Sequence, residues 1–176
     1  MALNRTFFRV DVSETERDRN YWAAKTPDSA ELVSQIRSAD ILFVPWENRG
    51  KQELTFPTGT AEFFHTVSKS FAPGAVVLAS TPEAYVELAL HSNETRWPTI
   101  IVSTVLLTAL GNILSDEIEK ALSGPTPPAT IEMQVIVENE RGKCISVQYK
   151  GPPDRMVNTL IAEAERCLPA KPEKAP

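Results

Sequence analysis

The densest group of chemically versatile side chains is Trp46-Glu47-Asn48-Arg49, followed after a short polar stretch by Thr58-Gly59-Thr60. An indole, a carboxylate, a carboxamide and a guanidinium in one loop suit a polar or anionic small molecule, through stacking and charge-assisted hydrogen bonds. Thr58-Gly59-Thr60 precedes Ala61, Phe63, Phe64 and Val67, which recur at helical spacing, so amides at a helix start add a place for negative charge. Glu62 with His65, and Glu87 with His91, have the spacings that bring two side chains together on a helix, where carboxylate and imidazole can hold a metal or move a proton. Solvated helix faces explain both pairs more simply, and neither a metal site nor a cofactor is expected. Ser80-Thr81 reads as a helix cap. Cys144 and Cys167 form no C-x-x-C pair and have no histidine at ligand spacing, so they read as reduced, packed thiols. The sequence contains no nucleophile-elbow, zinc-protease or phosphate-loop motif, and no catalytic residue is assigned.

The elements that must carry these groups follow from periodicity. Phe8, Val10 and Val12 alternate with Arg9 and Asp11, a strand with one wet face. Ser13-Glu14-Thr15-Glu16 has the spacing of a capping box and predicts a short helix or ordered loop through Asn20. Thr26-Pro27-Asp28 opens a helix carrying Leu32, Val33 and Ile36, which feeds the apolar run Ile41-Leu42-Phe43-Val44, expected as a central parallel strand. The Trp46 loop leaves the carboxyl end of that strand, where open α/β sheets place their ligands. Ala75 to Ala79 supplies a second buried strand, and Thr81-Pro82-Glu83 starts a helix reaching about His91.

Trp97 to Ser115 carries no charge over 19 residues. Read as one long apolar helix running on to Leu122, it aligns Thr104, Thr108, Gly111, Asn112 and Ser115 on one stripe, which suits packing against protein and marks a candidate interface. Its length also approaches that of a membrane span. Ser123-Gly124-Pro125-Thr126-Pro127-Pro128 cannot continue a helix and reads as a linker. Beyond it, Ile131, Met133, Val135 and Val137 and then Ile145, Val147 and Tyr149 alternate with polar residues on either side of a glycine-containing turn. A final helix has Met156, Leu160, Ile161, Ala164 and Cys167 on one face.

The expected fold class is α/β: a small doubly wound, mostly parallel sheet followed by a long apolar helix and a C-terminal β-hairpin-helix (ββα) unit. The expected division is an α/β domain at 1–122, a proline-rich linker at 123–128, the ββα unit at 129–168 and a disordered tail at 169–176. Composition supports a folded protein, with 42% hydrophobic and 23% charged residues among 176. A net charge of −5 with scattered Lys and Arg gives no field to attract phosphate backbones, so nucleic acid is not expected as a partner. The first residues lack the apolar core of a secretory leader, and a cytoplasmic location is expected, with membrane association as the alternative. Three functions are consistent with these features. The first is a non-catalytic interaction or assembly protein, self-associating as a homo-oligomer or serving a larger protein partner as an accessory subunit. The second is a ligand-binding domain or enzyme using Trp46, Glu47, Asn48, Arg49, Thr58 and Thr60. The third is a membrane-associated accessory protein attached through residues 98–114.

Overall fold

The computed structural model describes residues 8–26, 29–47, 54–89, 95–139 and 144–166. Along the chain lie β1 (Arg9–Thr15), α1 (Arg19–Ala24), α2 (Ala30–Ser38), β2 (Ile41–Val44), β3 (Trp46–Glu47), β4 (Leu54–Pro57), α3 (Thr60–Ser68), β5 (Val76–Leu78), β6 (Glu87–Leu88), β7 (Thr95–Arg96), β8 (Thr99–Ser103), α4 (Leu107–Leu122), β9 (Ile131–Glu138), β10 (Cys144–Gly151) and α5 (Pro153–Arg166). The main sheet has the order β1-β10-β9-β8-β2-β5, with β7 also beside β9, and a small second sheet has the order β3-β4-β6.

The protein has mixed α and β content, and its main sheet is mixed rather than mostly parallel. β2 and β5 are parallel, as the repeated strand-helix spacing predicts. β8 then lies antiparallel to β2 and parallel to β9, while β9, β10 and β1 follow one another antiparallel. Strands from both sides of the proline-rich segment therefore share one sheet.

β8 comes from the stretch expected to form the start of a long helix. Thr99-Ile100-Ile101-Val102 is β-branched throughout, which stiffens the side chains and favours a pleated surface. Partners on both edges and burial on both faces complete the case for a strand. A short 3-10 turn, Thr104–Leu106, redirects the chain, and the helix begins only at Leu107. No helix among the described residues is long and apolar enough to cross a membrane.

The helix expected after Thr81 is also absent. The Thr81 hydroxyl and carbonyl accept from the amides of Ala84 and Tyr85, closing one turn. Tyr85-Val86-Glu87-Leu88 then extends, and the Val86 carbonyl accepts from Phe56 as β6 joins β4. Ser13 and Glu14, expected at a helix start, instead pair with Ser146 and Ile145 within β1. The helix that follows is capped by Asp18, whose carboxylate accepts from the Tyr21 amide. Ser29 caps α2 in the same way, through the Leu32 amide.

Alternation along the strands divides the core into two layers. One face of the sheet, with Phe43, Ile100, Met133, Val135, Val147 and Tyr149, packs against α3, α4 and α5. The other, with Leu42, Val44, Val77, Ile101 and Ile136, packs against α1 and α2. α1 and α2 are six and nine residues long and leave part of their face of the sheet uncovered. There β9 and β10 present Glu132, Gln134 and Gln148 instead of apolar side chains, and this is where a cleft opens.

Candidate functional site

The cleft has a volume of about 270 Å³, and all three tryptophans of the chain, Trp22, Trp46 and Trp97, line it. Each arrives on a different element: Trp22 on α1, Trp46 on β3, and Trp97 in the two-residue step between β7 and β8. Trp22 and Trp97 are buried, and Trp46 is half-buried at the rim. The Trp22 indole N–H is buried with no acceptor among the described residues. A buried donor left in that state costs about 1–3 kcal/mol.

Two ion pairs border the indoles. Arg17 Nη2 lies 2.6 Å from Glu47 Oε2, and Arg96 Nε lies 3.1 Å from Glu132 Oε2. The Arg96 guanidinium also sits 5.1 Å from the centre of the Trp46 ring, a cation-π distance. Glu47 is held on further sides, because the Tyr21 hydroxyl donates to it and Lys25 Nζ stands 3.8 Å away. That arrangement ties α1 to β3. Across the floor, Gln134 Nε2 donates to the Ser146 hydroxyl at 2.7 Å, and Gln148 Nε2 donates to Glu132 Oε1 at 3.3 Å. Thr99, buried beside them, donates to Gln134 Oε1 at 3.5 Å.

Strand register explains why these side chains meet. Arg96 stands opposite Glu132 in the β7-β9 pair, and Gln134 opposite Gln148 in the β9-β10 pair. Residues two apart on β9 point the same way, so Glu132 and Gln134 form one polar row while Ile131, Met133 and Val135 are buried. Among the described lining residues the charges cancel, with Arg17 and Arg96 facing Glu47 and Glu132. Among the described residues neither histidine nor cysteine lines the cleft, and no group of three metal-ligating side chains is found. The lining can therefore stack on a flat molecule and exchange hydrogen bonds with it.

Of the side chains read from the sequence as a site, Trp46 and Glu47 line this cleft, while Asn48 and Arg49 lie outside the described residues. Thr58 is exposed, and the buried Thr60 hydroxyl donates to the Pro57 carbonyl at 2.6 Å. The amides at the start of α3 are occupied by the chain itself: Glu87 accepts from Gly59 at 3.1 Å and from Ala61 at 3.0 Å. Burial pulls the Glu87 carboxyl upward, but the Tyr85 hydroxyl at 2.5 Å and these two amides outweigh it and hold the group below the usual carboxylate range. Burial, with the Glu87 charge beside it, pushes the Tyr85 phenol well up.

Glu87 is thus in a strand, not on a helix with His91, which lies outside the described residues. Glu62 and His65 are both exposed on α3. Among the residues proposed for an interface, Thr108 and Asn112 are exposed and Thr104 and Ser115 half-buried. Gly111 is buried where α4 meets α5.

Sequence reasoning did not single out Trp22, Trp97, Arg96, Glu132, Gln134 or Gln148 as site residues. They come from segments far apart in the chain, and only strand order brings them together. A comparison with protein-family models, curated proteins and solved structures finds no match.

Proposed function

We propose that the protein binds a small, uncharged, hydrogen-bonding molecule with a flat apolar face, of the size of a monosaccharide or a nucleobase, in the cleft lined by its three tryptophans. The observation that carries this reading is the convergence of all three indoles on one cleft where the four charges among the described lining residues are paired. A volume of about 270 Å³ lies just under the range typical of drug-sized ligands, which favours a smaller occupant. Paired charges disfavour an ionic ligand, which would compete with partners already in place. Gln134 and Gln148, both on the cleft lining, offer donors and acceptors to such a ligand.

The expected result of titrating the full chain with neutral sugars, nucleosides and free nucleobases is a saturable change in tryptophan emission and a raised melting temperature for one class. Trp46→Ala and Gln148→Ala should each weaken that binding about tenfold, equivalent to about 1.4 kcal/mol. If no compound of these classes at millimolar concentration shifts either signal of the folded protein, the reading fails. Thr104, Thr108, Gly111, Asn112 and Ser115, the interface residues expected from the sequence, do not line this cleft.

A further inference from the structure

At the outer edge of the main sheet, β1 has a strand on one side only among the described residues, and that strand is β10. Its side chains alternate. Phe8, Val10 and Val12 lie on the face shared with Tyr149 and Val147, towards α5, and Arg9 and Asp11 lie on the other. Phe8 and Val12 are 48% and 39% exposed although they continue the apolar core face, and Phe8 already rests edge-on against Tyr149 at 5.6 Å. Arg9 and Asp11 pair with each other at 2.7 Å and remain exposed.

We propose that β1 is the interface of a two-fold dimer, in which the β1 strands of two copies pair antiparallel about Val10 and continue the sheet from one chain into the other. The chemistry of the edge selects both the occupant and the register. With Val10 opposite Val10, Arg9 stands opposite the second copy's Asp11, and Phe8 opposite its Val12, each pair occurring twice by symmetry. Opposite charges and aromatic-aliphatic pairs directly across a strand pair are each stabilising.

Neighbouring two-fold registers do not satisfy the edge. Centring on Asp11 or Arg9 puts like charges face to face, and centring on Val12 sets Val10 against Glu14. The favoured register is therefore specified by charge as well as by apolar contact, and the two-fold stops growth after one partner instead of leaving a sticky edge. None of Phe8 to Val12 lines the tryptophan cleft, so this inference stands apart from the ligand reading.

The test is light scattering coupled to size exclusion on the full chain between about 1 and 100 µM. A concentration-dependent dimer is expected. Arg9→Asp and Asp11→Arg should each raise its dissociation constant at least about tenfold, because each reversal leaves two like-charged pairs across the seam. Mixing the two variants should restore a dimer containing one of each, since every charge then meets its opposite. An effect confined to the pair within one chain gives no such rescue in the mixture. A protein that stays monomeric at 100 µM overturns the proposal, and so does a dimer indifferent to both reversals. Circular dichroism of each variant confirms that the strand is still folded, and an unfolded variant is replaced by Val12→Lys, which should likewise disperse the dimer.

Discussion

Glu87 illustrates how a residue acquires its role from its neighbours. From the sequence it belongs to a solvated helix; in the fold it caps a different helix from a strand, replacing the side-chain cap that Gly59, with its backbone at φ 89°, cannot supply. A cap of this type contributes about 1 kcal/mol. Glu87→Gln should lower stability by about that amount at neutral pH, read from denaturant midpoints. The sign of the pH effect follows from the lowered carboxyl: the contribution is complete above the ordinary carboxylate range and is lost as pH falls through the folded value. The gap between wild type and variant should therefore close in acid, and a gap that persists there would assign the cost to lost packing. The polar content of the site is partly legible at this scale. Trp46 and Glu47 stand out because they share a loop after a buried strand, whereas Trp22 and Gln134 have nothing local to mark them.

At the scale of elements, the segment from Thr99 to Leu122 shows where local pattern stops being decisive. The absence of charge is common to a buried strand and a buried helix, and length favours the helix. The β-branched run at Thr99–Val102 carries the opposing signal, and two neighbouring strands settle the outcome. The apolar strands β2 and β5, the alternation on β9 and the apolar faces of α2 and α5 are legible, because each depends on periodicity within a few residues. β3, β4 and β6 are not, because they are as short as β2 and β5 but lack the unbroken apolar run that marks those two. The small-residue stripe on α4 contains a packing requirement: a Cβ added at Gly111 would meet Ile161 Cδ1 at 2.9 Å and Val157 Cγ1 at 3.4 Å. Gly111→Leu should consequently force α4 and α5 apart and cost about 1–3 kcal/mol, measured by chemical denaturation. A loss below a few tenths would mean that α5 can withdraw from α4 at little cost.

At the scale of the whole molecule, the sheet is assembled out of sequence order. β8 enters between β2 and β9, and β1 waits at the far edge for β10, with Arg9 opposite Lys150. Strand order of this kind is not readable from the periodicity of one chain, because each strand records which face is buried and not which neighbour it takes. Truncation through residue 15 should uncover the β10 edge and one side of Tyr149 and Val147, lowering the melting temperature by at least several degrees and promoting aggregation. A truncated chain that melts as the full chain does would show β1 to be an ornament of the sheet. The same pairing has a consequence for biosynthesis. A ribosome adding about 5–20 residues per second delivers β1 many seconds before β10 exists, so the first strand spends that interval without its partner. Alternating Arg9 and Asp11, with Ser13 and Glu14 beyond them, make β1 a segment that water tolerates while it waits, and β10 then pairs with it along its whole length.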